Sequence, residues 1–91
     1  MELTALRTEI DEIDDQLVSL FVRRMEVAAR IADYKKAHAL PILDPAREQE
    51  KLQDVAKKAG NEMADYTRML YTVLFELSRT YQTARNAGVM E

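Results

Sequence analysis

Arg24 stands where an apolar residue is due. Leu3, Leu6, Ile10, Ile13, Leu17 and Leu20 recur at alternating steps of three and four; the next step lands on Arg24, and the row resumes through Val27, Ile31 and Tyr34. Arg23 is carried off this seam by the 100° turn per residue. Eleven residues after Arg24, Lys35 projects within about 20° of the same direction. One such side chain alone is explained by snorkelling, with its stem buried and its tip in water; two on one stripe argue for something they share. Further along, the apolar row Leu52, Val55 and Ala59 extends back one turn to Glu48 and another to Asp44. Asp44 is accounted for as a helix cap, whereas the expected neighbours of Glu48 are core. Arg47 beside it pairs with a carboxylate or faces water. Near the C-terminus, Ser78 and Gln82 lie one turn apart on the flank continued from Tyr71 and Leu74. Each is explained singly by exposure. Together, two cations, two carboxylates, a hydroxyl and an amide would make a polar pocket inside a helical bundle, where bundles place ligand sites.

The elements that must position these residues are helices. No glycine or proline precedes Pro41, and the three-four spacing predicts one helix from about Glu2 to His38. The segment AHALPIL breaks it. Asp44 followed by Pro45 reads as a cap with proline at the first helical position, and Gly60 closes a second helix of about 15 residues. Asn61 is the expected cap of a third helix, carrying Met63, Tyr66, Leu70, Val73, Leu74, Leu77 and Tyr81 on one side until Gly88. No strand pattern occurs, so the fold class is all-α, three helices per chain with one very long. About 37 residues of helix span roughly 55 Å, while a compact chain of this size has a diameter of roughly 30 Å. Half the seam of the first helix would be left bare. The expected remedy is the same helix from a second subunit, giving an intertwined homodimeric helical bundle.

Composition bounds the function classes. The 91 residues are expected to form a single domain, 1–91, and an apolar fraction of 47% argues against disorder. With 13 basic and 16 acidic residues the net charge is -3, which gives no footprint for nucleic acid or an anionic membrane. There is no cysteine, so no disulfide framework or thiolate metal site is possible. The start, MELTALRTEIDEIDD, lacks the basic and apolar regions of a signal peptide, and no apolar run reaches a membrane span. A soluble, cytoplasmic protein is expected. His38, the one histidine, falls in the first loop, and with no second soft ligand a metal site is not expected. The five methionines fall mainly on or beside helical stripes and read as packing. Neither a nucleophile-base pair nor a glycine-rich phosphate loop is present.

The run LRTEIDEIDDQLVSLFVRRMEVAARIADYK, then DPAREQEKL, then SRTYQ resembles the all-helical chorismate mutase family over nearly the whole chain. The resemblance implies an intertwined dimer with two active sites, each built from both chains, that converts chorismate to prephenate. It makes Arg7 the arginine donated by the partner subunit and Arg24 the one that binds substrate carboxylate within the main subunit. Lys35 matches the lysine that reaches the ether oxygen and a carboxylate. Asp44 and Glu48 match acidic residues near the substrate hydroxyl, and Arg47 an arginine of the same segment. Ser78 matches a carboxylate-binding position, and Gln82 the residue bonded to the ether oxygen from the other side. Arg7 and Lys35 are 28 residues apart, about 42 Å along one helix, so both can touch one small ligand only if Arg7 comes from an antiparallel neighbour. The reaction is a unimolecular pericyclic shift, for which no cofactor or metal is expected. In the unliganded protein, Arg24 is expected to pair with Glu48 or Asp44, or to be hydrated. Two other functions share this fold, an isochorismate-pyruvate lyase and a catalytically silent dimerisation or regulatory module. The D-x-x-R-E segment from Asp44 to Glu48 is closer to the mutases, and a silent module would have lost its polar pocket residues. Arg79 and Phe75 depart from the family pattern, which has an apolar residue after the serine and a smaller aliphatic at the pocket edge.

Overall fold

With no helix breaker among them, residues Leu3–Ala37 form one unbroken helix, α1, in the computed structural model, which describes residues 2–88. Glu2 and His38 flank it, so the expected limits hold. Its C-terminus closes in a Schellman pattern: the Leu40 N–H reaches the Lys35 carbonyl at 2.8 Å and the Ala39 N–H reaches that of Lys36 at 3.3 Å. This turn needs a left-handed residue, and Ala39 supplies it at φ 54°. The His38 ring stacks on Tyr34 with centroids 4.0 Å apart.

The second helix, α2, runs Pro45–Ala59. Asp44 caps it as expected, its carboxylate accepting the Arg47 N–H at 3.1 Å. Gly60 ends it with φ 85°, a left-handed value that favours glycine. Along it Asp54 lies between Lys58 at 3.1 Å and Lys51 at 3.3 Å. Hydrogen bonds from Lys58 and then Lys51 hold its carboxyl below the usual aspartate value. A lowered carboxyl pKa contributes stability above the ordinary aspartate range, which is lost as pH falls through the lowered value.

The third helix, α3, covers Ala64–Asn86 and differs from expectation at its start. Asn61 is not the cap. Residues 61–63 are taken up by a turn in which the Met63 N–H bonds the Gly60 carbonyl at 3.2 Å, and Met63 flanks the helix without a side-chain cap.

Helix α3 packs on both other helices, whereas α1 and α2 do not pack on one another. The buried apolar residues are small on α1 (Ala28, Ala29 and Ala32), with Val55 and Ala56 on α2 and Phe75 on α3. Only the C-terminal half of α1 joins this core. Its N-terminal half projects, and Leu3, Ile10, Ile13, Leu17 and Leu20 are each more than half exposed. The chain measures 55 × 32 × 14 Å with a radius of gyration of 16.2 Å, against about 12 Å for a compact domain of this length.

Candidate active site

Because α3 holds α1 and α2 apart, a cavity of about 660 Å³ opens between the three helices and the loop before α2. Its walls follow helical spacing. From α1 come Arg24, Val27, Ile31 and Lys35; from the start of α2, Asp44, Arg47, Glu48 and Lys51; from α3, Phe75, Ser78, Arg79 and Gln82. Of the residues picked out in the sequence, Arg24, Lys35, Asp44, Arg47, Glu48, Ser78 and Gln82 therefore meet in one place. Arg7 does not. It lies on the projecting arm of α1, about 25 Å before Arg24 along the helix, and is absent from the cavity wall.

Arg24 is fixed by an uncharged environment. Its Nη1 donates to Ser78 Oγ at 2.9 Å, and its guanidinium lies 5.8 Å from the Tyr71 ring centre and 5.9 Å from that of Phe75. The expected pairing with Glu48 or Asp44 is not found, for a local reason: Glu48 Oε2 is taken by Arg79 Nη1, and Asp44 Oδ1 by the Arg47 N–H. Phe75, bulkier than the family pattern, forms part of the surface on which Arg24 rests. Aromatic faces stabilise such a cation without neutralising it, so its charge stays available.

Lys35 is steadied the same way. Its Nζ donates to the Ile42 carbonyl at 2.9 Å, which leaves two of its three N–H donors free. Gln82 is buried, and its Nε2 donates to the Ala28 carbonyl at 2.9 Å. That contact fixes which end of the amide carries hydrogen and leaves the second N–H uncommitted. Arg47 is more exposed and pairs with Glu50 at 3.1 Å. No carboxylate pairs with Arg24 or Lys35 among the described residues.

Three charged residues of the wall were not picked out as site residues. Arg23 lines the cavity although its direction is off the apolar seam, because the opening is wider than the seam. Lys51 follows Glu48 by three residues, a spacing that already put it on the same face. Arg79 was visible only as a departure from a family pattern; its pairing with Glu48, 31 positions away, depends on how α2 and α3 pack. The wall thus carries Arg23, Arg24, Lys35, Arg47, Lys51 and Arg79 against Asp44 and Glu48, a cationic cavity in a chain of net charge -3. It suits a small anion that also presents a hydrogen-bond donor. Among the described residues no group of three His, Cys, Asp or Glu could hold a metal ion.

Comparison with known proteins shows the family. The chorismate mutase type II family model matches residues 6–83. A T-protein of Haemophilus influenzae is 43% identical over 61 residues, covering 64% of this chain and 16% of that protein. A 4-amino-4-deoxychorismate mutase of Streptomyces venezuelae is 41% identical over 46 residues, covering 50% of this chain and 45% of that protein. A chorismate mutase of Methanocaldococcus jannaschii is 29% identical over 83 residues, covering 89% of this chain and 84% of that protein. No solved structure matches the chain significantly. Matched over most of its length, the chain belongs to the chorismate mutase type II family. It spans about a sixth of the length of the T-proteins that it matches.

Proposed function

We propose that the chain is a chorismate mutase, a single catalytic domain that works in the cytoplasm as an intertwined homodimer. The observation that carries this reading is the pair of cations on α1, Arg24 and Lys35, held without carboxylate partners among the described residues and lining the same cavity as the buried amide of Gln82. Chorismate is a dianion. Arg24, supported by Ser78, takes one carboxylate through its planar fork; Lys35 reaches the ether oxygen and a carboxylate. Arg7 of the partner subunit completes the anion site, and Arg47 adds positive charge at the rim.

The reaction breaks the ether C–O bond and forms a C–C bond within one molecule, with no proton or electron taken up. Two things accelerate it. The site holds the folded conformer in which the two carbon termini meet, an orientation effect. It also presents donors where charge grows, because the ether oxygen becomes more negative as its bond to carbon lengthens. The free N–H of Gln82 and the ammonium of Lys35 address that oxygen from opposite sides. Glu48 and Asp44 accept from the substrate hydroxyl.

The bare seam of α1 supports the dimer, since a second copy of the helix is the simplest cover for it. A dimeric mass in sedimentation at micromolar concentration is expected, and a monomeric one contradicts the shared site. The activity is tested by incubating the purified protein separately with chorismate and with isochorismate and identifying the products. Saturable formation of prephenate is expected. Pyruvate and salicylate from isochorismate as the main products would move the assignment to a lyase, and turnover of neither by a folded dimer would favour a silent module.

A further inference from the structure

The cavity has a charge gradient that selects how a ligand lies in it. Arg23, Arg24 and Lys35 stand on α1 with no carboxylate beside them on that wall, and the two carboxylates stand at the start of α2 among Arg47 and Lys51. Asp44 Oδ1 is engaged by the backbone of its own helix. Glu48 is the half-buried carboxylate, its side chain 26% exposed and that of its partner Arg79 31%. Only its Oε2 meets Arg79; Oε1 has no hydrogen-bond partner among the described residues. Chorismate has a single group able to donate a hydrogen bond, its hydroxyl. With its carboxylates drawn to the cations of α1, that hydroxyl is left to Glu48.

The pairing of Glu48 with Arg79 bears on which ligand this end accepts. An unpaired carboxylate attracts a cation more strongly than a neutral donor. In 4-amino-4-deoxychorismate, the substrate named by the Streptomyces venezuelae relative, an amine replaces the hydroxyl, and an aliphatic amine is protonated at neutral pH. With Arg79 in place, Glu48 is already neutralised, so that ammonium arrives beside a fixed guanidinium. Juxtaposed like charges in a partly buried site disfavour binding strongly. A hydroxyl carries no charge and finds Oε1 held in position.

Resting on the proposed mutase function, we infer that Arg79 is a positioning residue that acts through Glu48 to set substrate selectivity, favouring the hydroxyl of chorismate over the ammonium of its 4-amino analogue. The test is kcat/KM for both substrates with the wild-type chain, Arg79→Met and Arg79→Lys, with circular dichroism to verify the fold. Arg79→Met should raise the ratio of amino to hydroxy substrate by about tenfold or more. Arg79→Lys keeps the charge and should retain the wild-type preference. An unchanged ratio in folded Arg79→Met overturns the inference, as does an equal shift in Arg79→Lys. An equal rise of KM for both substrates overturns it too, since Arg79 would then be binding a carboxylate common to both. If the wild-type chain turns over neither substrate, the proposed function fails, and the ratio of dissociation constants for the same two molecules then reads the selectivity. Binding of neither refutes both.

Discussion

Gln82 has one amide hydrogen committed to the Ala28 carbonyl, and that commitment aims the other. On the proposed function its contribution would belong to the transition state, where the ether oxygen gains charge. Gln82→Ala is therefore expected to lower kcat by about 100-fold, with a much smaller effect on KM; steady-state kinetics decides, and an unchanged kcat removes the assigned role. The polar residues of the wall were legible in the sequence because each interrupts or extends an apolar row at helical spacing: Arg24 within the row of α1, Glu48 before Leu52, Ser78 and Gln82 beside Leu74. Their partners were not legible. Whether Glu48 meets Arg24 or Arg79 is set by the rotation of α2 against α3, which no local spacing contains. Resting Arg24 on Tyr71 and Phe75 likewise joins residues about 50 positions apart.

At the scale of elements, proline and glycine mark α2 almost to the residue, and their absence before Pro41 marks α1 as one helix. Asp44-Pro45 starts α2 and Gly60 ends it, each by a backbone requirement visible in the residue type. Asn61 has the right chemistry for a cap but does not start α3, because the turn that follows Gly60 already takes up residues 61–63. The end of α1 hides its turn for the opposite reason: Ala39 holds a left-handed conformation that glycine would signal. That conformation costs an L residue roughly 1–2 kcal/mol, so Ala39→Gly should stabilise the protein by roughly 1 kcal/mol, read from denaturant unfolding. A neutral or destabilising result would mean that the turn does not demand it. Because the same turn sets the loop that receives Lys35, kcat is the companion readout, and it should stay within about twofold.

Taken as a whole, the molecule is a helix too long for its own core. The apolar seam of α1 is exposed along its whole length, Val27, Ile31 and Tyr34 included, while the buried residues of the helix, Ala28, Ala29 and Ala32, lie beside it; Arg7 stands on the projecting arm. The length of α1 and the bareness of its seam were legible from its spacing, since no glycine or proline interrupts it. If Arg7 enters the partner's cavity, Arg7→Ala and Lys35→Ala disable different residues of one shared site. Mixed subunits should then form heterodimers in which both lesions fall in one site and the other is intact. Activity should return on mixing toward about half the wild-type rate per heterodimer; verified exchange with no recovery refutes the cross-subunit assignment. The most direct measurement of the central claim remains prephenate formation from chorismate by the wild-type chain and by Lys35→Ala, side by side, both shown to be folded. Saturable turnover by the wild type and a loss of about 100-fold or more in the variant are expected. Absence of prephenate from the wild type, or equal rates in the two, would contradict the claim.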